Sequence, residues 1–66
     1  MPAVNDIIKC VKGSKIGERC LVLSIENGMY TLEILDTGLF DFESCIGDIF
    51  EVTDCDVKEY CMVEEK

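Results

Sequence analysis

The chain of 66 residues has no histidine, no tryptophan and a single proline. Without an imidazole, a serine, cysteine or metal-bound-water mechanism lacks its usual general base. A zinc site would have to be assembled from thiolates alone, and no Cys-x-x-Cys pair is present to begin one. The glycine-rich phosphate loop, the EF-hand pattern and the dinucleotide fingerprint are missing as well. Carboxylates are so numerous that a pair such as Asp54 and Asp56 arises by chance. No residue is therefore assigned a catalytic role, and no cofactor or metal is expected: the sequence reads as a non-enzyme.

Long apolar runs are also missing. The longest are a few residues, as in Cys20 to Leu23, where a membrane-spanning helix needs about 20. The opening MPAVNDIIKC lacks the charged-then-apolar order and small-residue cleavage site of a signal peptide. The expectation is a cytoplasmic protein with no membrane partner. With 48% hydrophobic residues the chain is too apolar for disorder, and its length allows one small domain over residues 1–66.

Five cysteines, Cys10, Cys20, Cys45, Cys55 and Cys61, are many for this size. An odd count without an export signal argues against a disulfide framework, so they are read as buried free thiols serving as small apolar residues.

The strongest local signal runs from Cys20 to Leu35. Two apolar segments flank Asn27-Gly28, the dipeptide that most readily supplies the two positive φ angles of a type I′ turn. This predicts a β-hairpin. Its first arm, Arg19 to Ile25, is apolar on both parities, which calls for a bent central strand or a bulge. The second arm alternates, with Tyr30, Leu32 and Ile34 on one face. Before the hairpin, Ile7 to Lys12 reads as a strand, and Gly13 to Gly17 as a loop with Ile16 tucked back as an anchor.

After the hairpin, Asp36-Thr37-Gly38 reads as a turn and Leu39 to Glu43 as a strand with Phe40 and Phe42 inward. Ser44 to Asp48 reads as a second turn or a single helical turn, and Ile49 to Val52 as a strand in which Ile49 or Phe50 takes the core face. The segment after Thr53 has two readings. Thr53, Asp54 and Asp56 resemble a helix N-cap and first turn, whereas Val57 to Val63 has strand composition; the strand is preferred. The fold class is all-β: five or six short antiparallel strands curled into a small barrel or a two-layer sandwich, with a short helical turn near the C-terminus as the alternative for the tail.

The run Lys9-Cys10-Val11-Lys12, the glycine loop, Ile16-Gly17-Glu18-Arg19-Cys20-Leu21-Val22, Asn27-Gly28-Met29-Tyr30 and the closing Gly47 to Val52 together resemble small SH3-like barrel proteins. These are encoded largely by bacterial phages and prophages. The likeness covers about residues 7 to 52; the tail after Thr53 extends past the usual end. The resemblance implies a small binding module.

Charge is distributed unevenly. Up to Leu35, Lys9, Lys12, Lys15 and Arg19 balance Asp6, Glu18, Glu26 and Glu33, so the net charge of −8 comes entirely from Asp36 onward. Such a charge solubilises the protein, and it also suits a basic partner. The candidate binding surface is Asp41, Glu43, Asp48, Glu51, Asp54 and Asp56. The partner expected for it is a host or cognate protein with a basic surface, such as a nucleic-acid-binding protein of the phage's host. Direct binding to nucleic acid is disfavoured, because phosphates would be repelled. A second reading places a small-ligand or nucleotide site at Lys9, Lys12, Lys15 and Arg19. A third is a homo-oligomer that self-associates through an exposed strand edge.

Overall fold

The computed structural model describes residues 2–38 and 45–64. The predicted strand Leu39 to Glu43, including Phe40, Asp41, Phe42 and Glu43, lies outside the described residues.

Alternation and turn chemistry build the middle of the sheet. Strands β2 (Arg19–Glu26) and β3 (Met29–Asp36) pair antiparallel about Asn27 and Gly28. Those two residues take φ of 51° and 76°, the positive pair that the type I′ turn demands. Tyr30, Leu32 and Ile34 of β3 are buried, as their period-2 spacing requires. On β2 the core takes Cys20 and Val22. The register then shifts between Val22 and Ser24, skipping Leu23, and on β3 it skips Leu35. These irregularities bend the hairpin and resolve the two-sided apolarity of the first arm.

On one side of the hairpin lies β1 (Ile7–Cys10), paired antiparallel with β2. It is shorter than predicted and buries Ile8 and Cys10, while Val11 is exposed. On the other side, β4 (Ile49–Thr53) pairs with β3, placing Phe50 opposite Leu32 and Val52 opposite Tyr30 on the core face. The larger ring wins the core position, and Ile49 is 62% exposed. Ile16, expected as an anchor, is 37% exposed, because its loop is held by backbone bonds from Gly17 N–H to Cys10 O (2.9 Å) and Ile16 N–H to Gly13 O (3.3 Å).

The tail corrects the preferred reading. Residues Asp54–Tyr60 form helix α1, and only Cys61–Val63 form a strand, β5, paired antiparallel with β1. The Thr53 hydroxyl accepts from the Asp56 N–H at 3.2 Å, and Asp54 and Asp56 occupy the first turn, where carboxylates complement the positive helix end. Val57 on the inner face joins the core formed by Ile8, Cys20, Val22, Tyr30, Leu32 and Ile34. Capping and one buried valine outweigh the strand-like composition of the segment.

Among the described residues the strand order is β4-β3-β2-β1-β5, one five-stranded sheet that is not closed. The expected closed barrel is not formed among the described residues, where α1 joins the two edge strands. Flat, a five-stranded sheet would hold its outer strands about 19 Å apart. A helix of seven residues spans about 10 Å. The sheet therefore curls around the core, with α1 lying across the gap between its edges.

Candidate functional site

Curling leaves a cleft of about 350 Å³ on the concave side, between the β1–β2 loop and α1. Ile8, Leu32, Phe50, Val52 and Val57 form its apolar wall, and Lys12, Lys15 and Tyr60 stand at its margin. Glu18 is drawn into it from the end of the loop: its carbonyl accepts from Cys10 N–H at 2.8 Å and its N–H donates to Lys15 O at 3.0 Å. These bonds fix the backbone, and the residue is only 4% exposed. It accepts from the Cys20 thiol at 3.6 Å and meets Lys15 Nζ at 3.8 Å.

Three thiols, Cys10, Cys20 and Cys61, share this cleft. The Cys10 thiol donates to Lys12 O at 3.1 Å. Burial, then the Glu18 charge, pushes the Cys20 thiol up to about 12. Burial, then neighbouring Cys10, pushes Cys61 up to about 11. Both are neutral thiols at physiological pH, so any thiolate exchange there is slow and quickens as pH rises. Among the described residues no group of three or more cysteines and carboxylates is placed to hold a metal ion. The buried-thiol expectation applies to Cys10 and Cys20, whereas Cys61 is half-buried and Cys45 and Cys55 are exposed.

The four cations of the proposed anion site are largely committed elsewhere. Arg19 donates through Nε and Nη2 to Glu64 at 2.7 and 2.8 Å, and through Nη1 to Asp36 at 2.6 Å. It thereby ties the end of β3 to the chain just beyond β5. The Arg19 guanidinium, hydrogen-bonded to Glu64, holds that carboxyl below its ordinary value. Lys12 pairs with Glu59 at 2.9 Å and lies 5.9 Å from the Tyr60 ring centroid. Lys15 faces Glu18. Lys9 is on the outer face, opposite Arg19 and Met62 in the register. No phosphate-sized convergence of free cations results.

The acidic set divides. Asp54 and Asp56 belong to the first turn of α1, with Lys58 Nζ 3.9 Å from Asp54 and Asp56 lining the cleft. Asp48 accepts from Cys45 N–H at 3.3 Å within its own turn, and Glu51 points outward from β4, opposite Thr31. Glu33, from the charge-balanced half, joins this outer face opposite Ile49. Ile46, in the turn before β4, is 68% exposed, and Ile49 is an exposed apolar side chain on the outer face of β4; charge counting missed both. The alternation Ile-Phe-Glu-Val carried the signal, since burying Phe50 obliges Ile49 to face out.

No family model, no curated protein and no solved structure matches this chain.

Proposed function

We propose that this protein is a non-enzymatic binding module that engages a basic protein surface through the outer face of β3 and β4. The observation that carries the reading is the exposure of Ile49 on the outer face of β4, with Glu33 opposite it and Glu51 on the same face, and of Ile46 and Asp48 in the turn that leads into the strand. Large apolar side chains exposed beside charges of one sign suit a contact surface. The isoleucines supply area to desolvate, and the carboxylates supply steering and selectivity for a cationic partner. The strand order, with a short helix linking the two edges, supports the SH3-like reading of the fold. The resemblance to phage-encoded barrels makes a host nucleic-acid-binding protein the partner, its cationic groove occupied by this face.

The test is capture from host lysate at low and high salt, with wild type beside Glu51→Lys and Ile49→Asp. The expected result is an identified basic protein that is retained at low salt, released at high salt and lost with either variant. No salt-sensitive partner, or one indifferent to both variants, refutes the reading.

The cleft favours a second function, binding of a small molecule. Its apolar wall and the buried Glu18 carboxylate select a neutral or cationic ligand and oppose a nucleotide. Thermal shift separates the cases: stabilisation by small apolar amines supports the cleft reading, and stabilisation by nucleotides alone overturns that selectivity.

A further inference from the structure

Two of the three cleft thiols stand directly opposite one another on adjacent strands. Cys10 of β1 is the register partner of Cys61 of β5. Val11 N–H donates to Tyr60 O at 2.7 Å and Glu64 N–H to Ile7 O at 2.8 Å. This bonding makes Cys10 and Cys61 a non-hydrogen-bonded antiparallel pair, the kind whose Cα atoms approach to about 4.5 Å. A disulfide needs Cα atoms roughly 4.4–6.8 Å apart with side chains on one face, and both thiols line the same cleft. Cys20 has Ile8 opposite it on β1. Cys10 is thus its diagonal neighbour, at about 7–8 Å, and Cys61 is two strands away, at about 10 Å. Register singles out one pair of the three.

We propose that Cys10 and Cys61 are a redox-modification site, forming a reversible cross-strand disulfide by exchange with a low-molecular-weight disulfide that enters the cleft. Cys61, half-buried and lining the cleft, is the point of entry. Its sulfur, after loss of a proton to water, attacks one sulfur of the small disulfide and expels the first small thiolate. Cys10, deprotonated in turn, attacks Cys61 Sγ, forms the Cys10–Cys61 bond and expels the second. Two protein thiols are oxidised and one small disulfide is reduced to two thiols. The crosslink fastens β5, a strand of only three residues, to β1 and fixes the end of α1 that closes the cleft.

The test uses the full chain with oxidised glutathione at mildly alkaline pH, followed by peptide mapping without reduction. The expected product is an intramolecular Cys10–Cys61 link, reversed by dithiothreitol, with Tm raised on the order of 10 °C. Exposed Cys45 and Cys55 take up glutathione independently; the Cys45→Ser/Cys55→Ser double variant removes that background and keeps the link. Cys10→Ser arrests the reaction at a glutathione adduct on Cys61. A predominant Cys10–Cys20 link, a lasting adduct on Cys61 of the wild-type chain, or no link under conditions that oxidise the urea-unfolded chain overturns the proposal.

Discussion

The most demanding prediction concerns Cys20 at alkaline pH. Its side chain is 4% exposed, between Ile8 of β1 and Ile34 of β3 in the register, and its thiol is raised from 9.0 to about 12, by burial first and by the Glu18 charge second. Below about pH 9 both folded and unfolded chains keep the proton, and the contribution of the buried thiol is fully present. As pH rises from about 9 to about 12 the unfolded chain releases its proton while the folded chain retains it. Stability then falls by about 1.4 kcal/mol per pH unit. By about pH 11 the loss comes to about 3 kcal/mol, against a total of roughly 3–10 kcal/mol for a domain of this length. The assay is urea unfolding of wild type and Cys20→Ala across about pH 7 to pH 11. Near neutrality the variant is the less stable by about 1–2 kcal/mol, because a buried sulfur is lost. The variant has no thiol to titrate there, so the two stabilities converge and then exchange order by about pH 11. Other groups ionise in both proteins and cancel in the difference. Parallel curves over the whole range would refute the reasoning.

Further expectations follow from single contacts. Gly38 is buried where an added Cβ would lie 2.8 Å from Lys15 O and 2.9 Å from Ile16 O, so Gly38→Ala forces two loops apart and costs about 1–3 kcal/mol in denaturant unfolding. An unchanged midpoint would show that the β1–β2 loop gives way freely. Thr53→Ala removes the α1 cap and lowers stability by about 1 kcal/mol, with Thr53→Ser restoring most of it. On the acid side, Glu64 is held below its ordinary value by Arg19. Its contribution is present above the usual carboxylate range and is lost as pH falls through the depressed value, so Glu64→Gln flattens the acid limb of the stability curve. An acid limb of unchanged slope would mean that the Arg19 clamp adds nothing to stability.

What the sequence made legible was whatever depends on near neighbours along the chain. The hairpin followed from Asn27-Gly28 and from alternation over eight-residue arms, and the bulge from apolarity on both parities of the first arm. The tail was misread because Val57, Tyr60 and Met62 carry strand propensity, while the decisive facts were one hydroxyl at the cap and the placing of Val57 in a core built by other strands. Propensity is a weak prior where seven residues are concerned. The expected closed barrel is likewise not formed among the described residues, where the helix occupies the span between β4 and β5.

The candidate site was less legible than the fold, and Arg19 shows why. In sequence it closes a run of four cations and reads as part of an anion site. In space, its partners are Asp36 at the end of β3 and Glu64 just beyond β5, far along the chain. Charge counted in sequence blocks assumes that neighbours in the chain share a surface. An antiparallel sheet breaks that assumption, because each strand meets residues of another segment and successive side chains face opposite ways. Glu33 thus leaves the balanced half to stand beside Ile49, while Asp54 and Asp56 leave the acidic half's outer face for the helix start. The partition predicts different results for two charge reversals of equal size. Glu51→Lys alters capture of a basic partner, whereas Asp56→Lys leaves capture intact and alters ligand-induced thermal shift at the cleft, which Asp56 lines. Equal effects of both reversals on capture would mean that net charge, and not the β3–β4 face, governs binding.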